Sequence, residues 1–251
     1  MFGQKILVDK LPVSFISDNG YETLLSRIIS GGYVGRLLFV NTRVWHFYNT
    51  AEPQYLSDGV LLPDGAPLRW IINAQRTESA RCAVVPGLRF FHDVMVADAS
   101  RKLRHAFVGT NEKTLKLMKR RLSERYPEVN IVSMVAPEYG KASEIITQQL
   151  AEDLKKVKPD IIWVGLGAPK QDEAAWILLE HFNVEANYAG IGLVFDYLAG
   201  TVQPPPKWVN ALGIEWAYRV LVQPRRTVNF VIPFLAMLRL VIWKVILRHK
   251  G

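Results

Sequence analysis

The sequence predicts an α/β fold, a parallel sheet with helices on both faces, and three observations carry that prediction. From about residue 104 onward, apolar runs of strand length alternate with amphipathic segments of helix length. Three of those runs end in glycine-rich turns. The 251 residues, 49% apolar and 22% charged, suffice for a full hydrophobic core without staples.

The elements follow in order. Lys5–Val8 and Val13–Ile16 read as strands, and Tyr21–Ser30 as a helix stopped by Gly31-Gly32. Arg36–Val40 is a short buried strand that delivers Asn41 and Thr42 at its end. A helix-like stretch and the turn-rich segment Leu62-Pro63-Asp64-Gly65-Ala66-Pro67 come next. The chain's single cysteine, Cys82, lies in Arg-Cys-Ala-Val-Val, a strand-like run in which it packs as a small hydrophobe. His105–Val108 is a strand followed by Gly109-Thr110-Asn111 and a helix over Glu112–Arg125. Asn130–Met134 is a strand, with a helix from about Ser143 to Lys156. Asp160–Val164 is a strand ending in Gly165-Leu166-Gly167-Ala168-Pro169, and Ala186–Ala189 is a strand ending in Gly190-Ile191-Gly192. In such sheets ligands bind beyond the carboxyl ends of the strands, where these glycines fall.

Gln203-Pro204-Pro205-Pro206 marks a boundary. It divides an α/β core, residues 1–203, from a C-terminal helical appendage, residues 204–251. Within the core, residues 1–103 and 104–203 form two sides. The formal net charge is +8, which points to an anionic partner: nucleic acid, a phosphorylated small molecule or anionic lipid. From Arg219 to Lys250 there is no Asp or Glu. Val228–Leu247 is almost wholly apolar, broken by Asn229, Pro233, Arg239 and Lys244. Its length approaches that of a membrane span, but two cations and a proline suit a helix lying among lipid headgroups better. A core helix or an oligomer interface is the alternative. Met1–Lys10 is short and mixed and does not read as a signal peptide, so membrane contact is expected from the appendage.

Residues with chemistry available are few. Gly165, Gly167, Lys170 and Gln171 suit a diphosphate cradle, and equally a plain tight turn. Asp64 is either a turn residue or a general base for an acceptor hydroxyl. Asn41 and Thr42 either orient sugar hydroxyls or cap the next helix. Five histidines without metal-ligand spacing, one cysteine and no Asp-x-Asp give no metal site. No cofactor is expected.

Taken together, the ordered set resembles the WecG/TagA/CpsF family of glycosyltransferases. The carriers are Gly165-x-Gly167-x-Pro169-Lys170-Gln171, Gly190-x-Gly192-x-x-Phe195-Asp196-x-x-x-Gly200 and Pro206-Lys207-Trp208. Gly213-x-Glu215-Trp216-x-Tyr218-Arg219 and Gln223-Pro224-Arg225-Arg226 complete them. Val40-Asn41-Thr42, Pro63-Asp64-Gly65 and Val85-Pro86-Gly87 match more loosely.

The resemblance implies a Rossmann-like core and a metal-independent, inverting transfer. A sugar would pass from a UDP-sugar donor to an undecaprenyl-diphosphate-linked sugar acceptor, in exopolysaccharide or other cell-surface polysaccharide synthesis. On that model Asp64 is the base and Asn41 helps hold a sugar. Thr42, Gly109, Thr110, Gly165, Gly167, Lys170, Gln171, Gly190, Gly192 and Asp196 line the nucleotide-sugar pocket. Arg219, Arg225 and Arg226 meet the acceptor diphosphate. The protein would sit on the cytoplasmic face of the bacterial inner membrane, held peripherally by the appendage, with a homo-oligomer allowed and nucleic acid not a partner. The competing reading is a non-catalytic nucleotide- or nucleic-acid-binding module.

Overall fold

The computed structural model describes residues 5–33, 35–56, 58–75, 81–100, 102–206, 208–209, 218 and 231–243. The chain opens with a hairpin, β1 (Lys5–Val8) against β2 (Leu11–Ser14), turning at Asp9-Lys10 with Asp9 at φ 61°. The second strand thus begins two residues before the expected Val13. Pro12 is tolerated there because a two-stranded ribbon leaves one side of each strand unpaired. Helix α1 (Asp18–Ile29) starts three residues before the expected Tyr21, because the Ser17 side chain accepts from Gly20 N at 3.1 Å and caps it.

The core is a six-stranded, all-parallel sheet. Its strands are β3 (Arg36–Val40), β4 (Val60–Pro63), β5 (Arg104–Gly109), β6 (Asn130–Val135), β7 (Ile161–Gly165) and β8 (Asn187–Gly190). Their spatial order is β4-β3-β8-β7-β5-β6. Strand residues alternate between two apolar layers, as parallel strands buried on both faces must. Leu37, Phe39, Phe107, Ile161, Trp163 and Ala189 pack against α1, α4 (Gly87–Ala97), α5 (Glu112–Arg125) and α9 (Val194–Ala199). Leu38, Val40 and Leu61 face α2 (Thr42–Ala51) and α3 (Ala66–Ala74) on the other side. Ala106, Val108, Ile162 and Val164 there meet α6 (Ala142–Ile145), α7 (Gln148–Val157) and α8 (Lys170–Trp176), which runs on into a π turn over Ile177–His181.

The helix expected over 143–156 is two. Ile146 breaks the first, and Thr147 caps the second by accepting from Leu150 N at 3.2 Å. The Cys82 segment is not a strand. Residues 81–86 join no ladder and are tied by Ala83 N to Ile16 O at 2.7 Å and Val85 N to Pro63 O at 2.9 Å. Cys82 itself is buried, as expected.

Within residues 204–251, Val231–Val241 is helical, here α10. It packs on α2 and α3, burying Pro233 and Met237. No helix among the described residues is long and apolar enough to cross a membrane.

One buried polar network holds the sheet's centre. The Trp163 indole N–H donates to His105 Nδ1 at 3.0 Å. Because indole can only donate, Nδ1 must accept, so Nε2 carries the proton and donates to Asp98 at 3.0 Å. Asp98 also accepts from Leu103 N at 2.8 Å. Asp98→Ala strands two buried donors, each worth about 1–3 kcal/mol. Its thermal midpoint is expected to fall by roughly 5–20 °C in a scan of a chain this size. A shift under roughly 2 °C would mean that the network contributes nothing net.

Candidate active site

Five of the six strands deliver an expected residue or glycine turn to one edge of the sheet. Along that carboxyl edge the order is Asp64, Asn41, Gly190 to Gly192, Gly165 to Gly167, then Gly109-Thr110. The helices after β3 and β7, α2 and α8, lie on one face, while α9, after the intervening β8, lies on the other. Chain exits therefore diverge on either side of β8, which is where open α/β sheets form their ligand crevice.

On the β3–β4 side, the Asp64 amide donates to Val40 O at 2.9 Å, extending the ladder one residue past β4. This fixes a half-buried Asp64 at the sheet's exit, just before Gly65 opens α3. Asn41 is the cap of α2: its Oδ1 accepts from Arg43 N and Val44 N, both at 3.1 Å. Thr42 begins that helix and is buried.

On the other side the loops are braced against one another. Thr110 N donates to Gly165 O at 3.1 Å, with Thr110 at φ 53°. Gln171 bridges the two central turns: its Nε2 donates to Gly190 O at 2.8 Å, and its Oε1 accepts from Gly192 N at 2.9 Å. Lys170 turns toward the loop after β6, donating to Gly140 O at 3.1 Å and lying 5.1 Å from the centre of the Tyr139 ring. That ring is fully exposed beside an open groove of about 480 Å³ lined by Tyr139, Lys141, Ser143, Glu144, Pro169 and Lys170. Asp196 accepts from the Thr201 hydroxyl at 3.2 Å, in the turn after α9. Arg219, Arg225 and Arg226 lie outside the described residues.

Sequence reasoning missed Tyr139 and a buried group next to Gln171. Asp172 is only 4% exposed and accepts a short hydrogen bond from the Tyr48 hydroxyl of α2. Burial pushes its carboxyl up to about 7, against the pull of the Tyr48 hydrogen bond and the Arg36 guanidinium. Arg36 is buried on β3, and its Nη1 donates to Tyr55 O at 2.5 Å. An aspartate inside a glycine-turn segment gives no periodic signal of burial. Only the packing of α8 on β3 and β8 reveals it.

A model of the glycosyl transferase WecG/TagA/CpsF family matches residues 10–251. The chain belongs to this family. Among curated relatives, the N-acetylglucosaminyldiphosphoundecaprenol N-acetyl-beta-D-mannosaminyltransferase of Bacillus subtilis (strain 168) is 25% identical over 170 residues. That alignment covers 68% of this chain and 63% of the relative. The protein of the same name from Staphylococcus aureus (strain NCTC 8325 / PS 47) is 26% identical over 143 residues, 57% of this chain and 54% of the relative. This WecG/TagA/CpsF member thus spans under two thirds of the length of either relative.

Proposed function

We propose that the protein is a glycosyltransferase that moves a sugar from a UDP-sugar to an undecaprenyl-diphosphate-linked sugar acceptor in cell-surface polysaccharide synthesis. The observation that carries this reading is the family match over residues 10–251, combined with glycine turns gathered at one sheet edge. The relatives' names supply the acceptor to try first, N-acetylglucosaminyl-diphosphoundecaprenol, and the first sugar, N-acetylmannosamine.

The sheet gives this reading a direction. Asp64, after β4, and Gly165, on β7, are three strands apart. At about 4.8 Å per strand that is roughly 14 Å. A donor with its diphosphate over Gly165 to Gln171 would extend its sugar across β8 and β3 toward Asp64. The exposed Tyr139 ring offers a stacking platform for the base at the opposite end. Asp64 takes the proton from the acceptor hydroxyl, and the freed oxygen attacks the anomeric carbon. The carbon–oxygen bond to UDP breaks on the far side, inverting that centre. Backbone amides of the glycine turns and the appendage arginines take up the charge of the departing diphosphate.

The same proposal places the protein peripherally on the cytoplasmic face of the inner membrane. Helix α10 supports it: Val231, Ile232, Leu235 and Leu238 stay exposed while Pro233 and Met237 are buried, and the Ile242 and Trp243 that follow the helix are exposed too. Eleven residues make about 16 Å of helix, half a hydrocarbon core, which suits lying along a lipid surface.

The test is a panel of UDP-sugars offered with an N-acetylglucosaminyl-diphosphoundecaprenol analogue, following UDP release. Acceptor-dependent release from one donor, unchanged by excess EDTA, is the expected result. Release that EDTA abolishes would overturn the metal-independent mechanism, and no release from any donor would overturn the proposal.

A further inference from the structure

The Tyr48–Asp172 contact is a buried side-chain link between the two sides of the crevice. Tyr48 lies two turns into α2, the helix whose cap is Asn41. Asp172 lies in the first turn of α8, directly after Gln171. Both are almost completely buried, and the bond spans 124 residues of sequence. Next to it, both polar atoms of the Gln171 amide are committed to the ends of the β8 turn, Gly190 O and Gly192 N.

A side chain whose carbonyl and amide are both spent on backbone is a brace, and a brace works only while its own backbone is fixed. Asp172 ties the buried face of the first turn of α8 to α2, through the Tyr48 hydroxyl. Arg36 adds attraction from β3 beneath, with Nε and Nη2 unpartnered in the buried interior. An ionised or partly ionised carboxylate in such a place demands a donor, because leaving it unpaired costs more than an ordinary hydrogen bond returns.

We infer that Tyr48 and Asp172 are positioning residues: their hydrogen bond locks α8 to α2 and so holds Gln171 in its bridge between Gly190 and Gly192. The turn after β8 then keeps its shape beside the crevice, with Asn41 on one flank and Gly165 to Gly167 on the other. Only the ligand-affinity part of the test rests on the proposed function. The structural part stands without it.

The experiment compares wild type with Tyr48→Phe, Gln171→Met and the double variant, by amide hydrogen exchange and by UDP titration of the full chain. A hydrogen bond to a charged group is worth about 1.5–3 kcal/mol, so protection at Gly192 is expected to fall by roughly 10–100-fold in Tyr48→Phe. Gln171→Met should do the same, and the double variant should be no worse than either, since both break one brace. UDP affinity is expected to fall about tenfold in each, for the same reason. Protection lost in Asp172→Ala should be partly recovered in Asp172→Asn, whose amide oxygen still accepts from the Tyr48 hydroxyl.

A role confined to overall stability would lower protection at Phe107, in the core of β5, and leave Gly192 unchanged. That outcome overturns the inference. So would full additivity of Tyr48→Phe and Gln171→Met. If wild type itself binds no UDP, the donor-site reading fails, while the exchange result at Gly192 still decides this one.

Discussion

Replacing Asp64 with asparagine is expected to lower turnover by roughly 10²–10⁴-fold while donor affinity stays within about twofold of wild type. The asymmetry between the two effects follows from where Asp64 sits. Its backbone amide is engaged with Val40 O, so the amide variant keeps the turn that carries it. It stands at the edge-strand end of the crevice, three strands from the glycine turns of β7, so a diphosphate bound where we propose, over Gly165 to Gln171, would have no contact with it to lose. Asparagine matches the carboxylate in shape but cannot take a proton. What disappears is an interaction made in the transition state, which lowers kcat and kcat/KM together. Steady-state kinetics at saturating donor, paired with a UDP titration, separate the two quantities. Turnover within about threefold of wild type would remove Asp64 from the role of base, because general-base loss costs far more than that. Lost UDP affinity with turnover otherwise intact would move it to the donor site.

Much of the scaffold was legible because its signals are local. A central parallel strand is buried on both faces and reads as an uninterrupted apolar run. Ile161–Gly165 was therefore recognised within one residue, and the helix over Glu112–Arg125 without error. The glycine turns were legible for the same reason, since each follows directly on such a run. What stayed hidden depends on contacts between distant segments. Cys82 lies in a strand-like run, yet no ladder forms there, and its N–H donates instead to Asn73 Oδ1 at 2.8 Å. Helix α10 reads as an apolar stretch, but nothing in its spacing names α2 and α3 as its seat. Lys170 reads as a cation for a phosphate, yet it is drawn to Gly140 O, on a loop some thirty residues earlier in the chain. Asp172 is the sharpest case. Composition places aspartate outside, and the Tyr48 hydroxyl and the Arg36 guanidinium, both supplied from the other half of the core, make its burial tolerable.

Gly109→Ala is expected to be the most damaging single-methyl change in the sheet. Gly109 closes β5 at φ 142°, a conformation that costs an alanine about 1–3 kcal/mol. The added carbon would also stand 2.6 Å from the carbonyl carbon of Gly165, 2.7 Å from its oxygen and 2.8 Å from its Cα. All three are backbone atoms of the neighbouring strand, so no rotamer change can relieve the clash. The strand ends must part, at an overpacking cost of about 1–3 kcal/mol. Parting them breaks the Thr110 N to Gly165 O bond that ties the two turns together. Losses of roughly 2–6 kcal/mol lower the thermal midpoint of a chain this size by about 5–20 °C.

Gly167→Ala is the control. Gly167 also has a positive φ, 78°, but an added carbon there meets nothing within 4 Å. It pays the conformational cost alone, about 1–3 kcal/mol, so its midpoint should fall by about 2–10 °C, half as far as in Gly109→Ala. Thermal scans of both variants, each followed by a UDP titration, give the comparison. Equal midpoints would mean that the β5 and β7 ends are not in contact as described. A large loss of UDP affinity in Gly109→Ala, beside a small one in Gly167→Ala, would tie donor binding to the spacing of the strand ends rather than to the freedom of the loop.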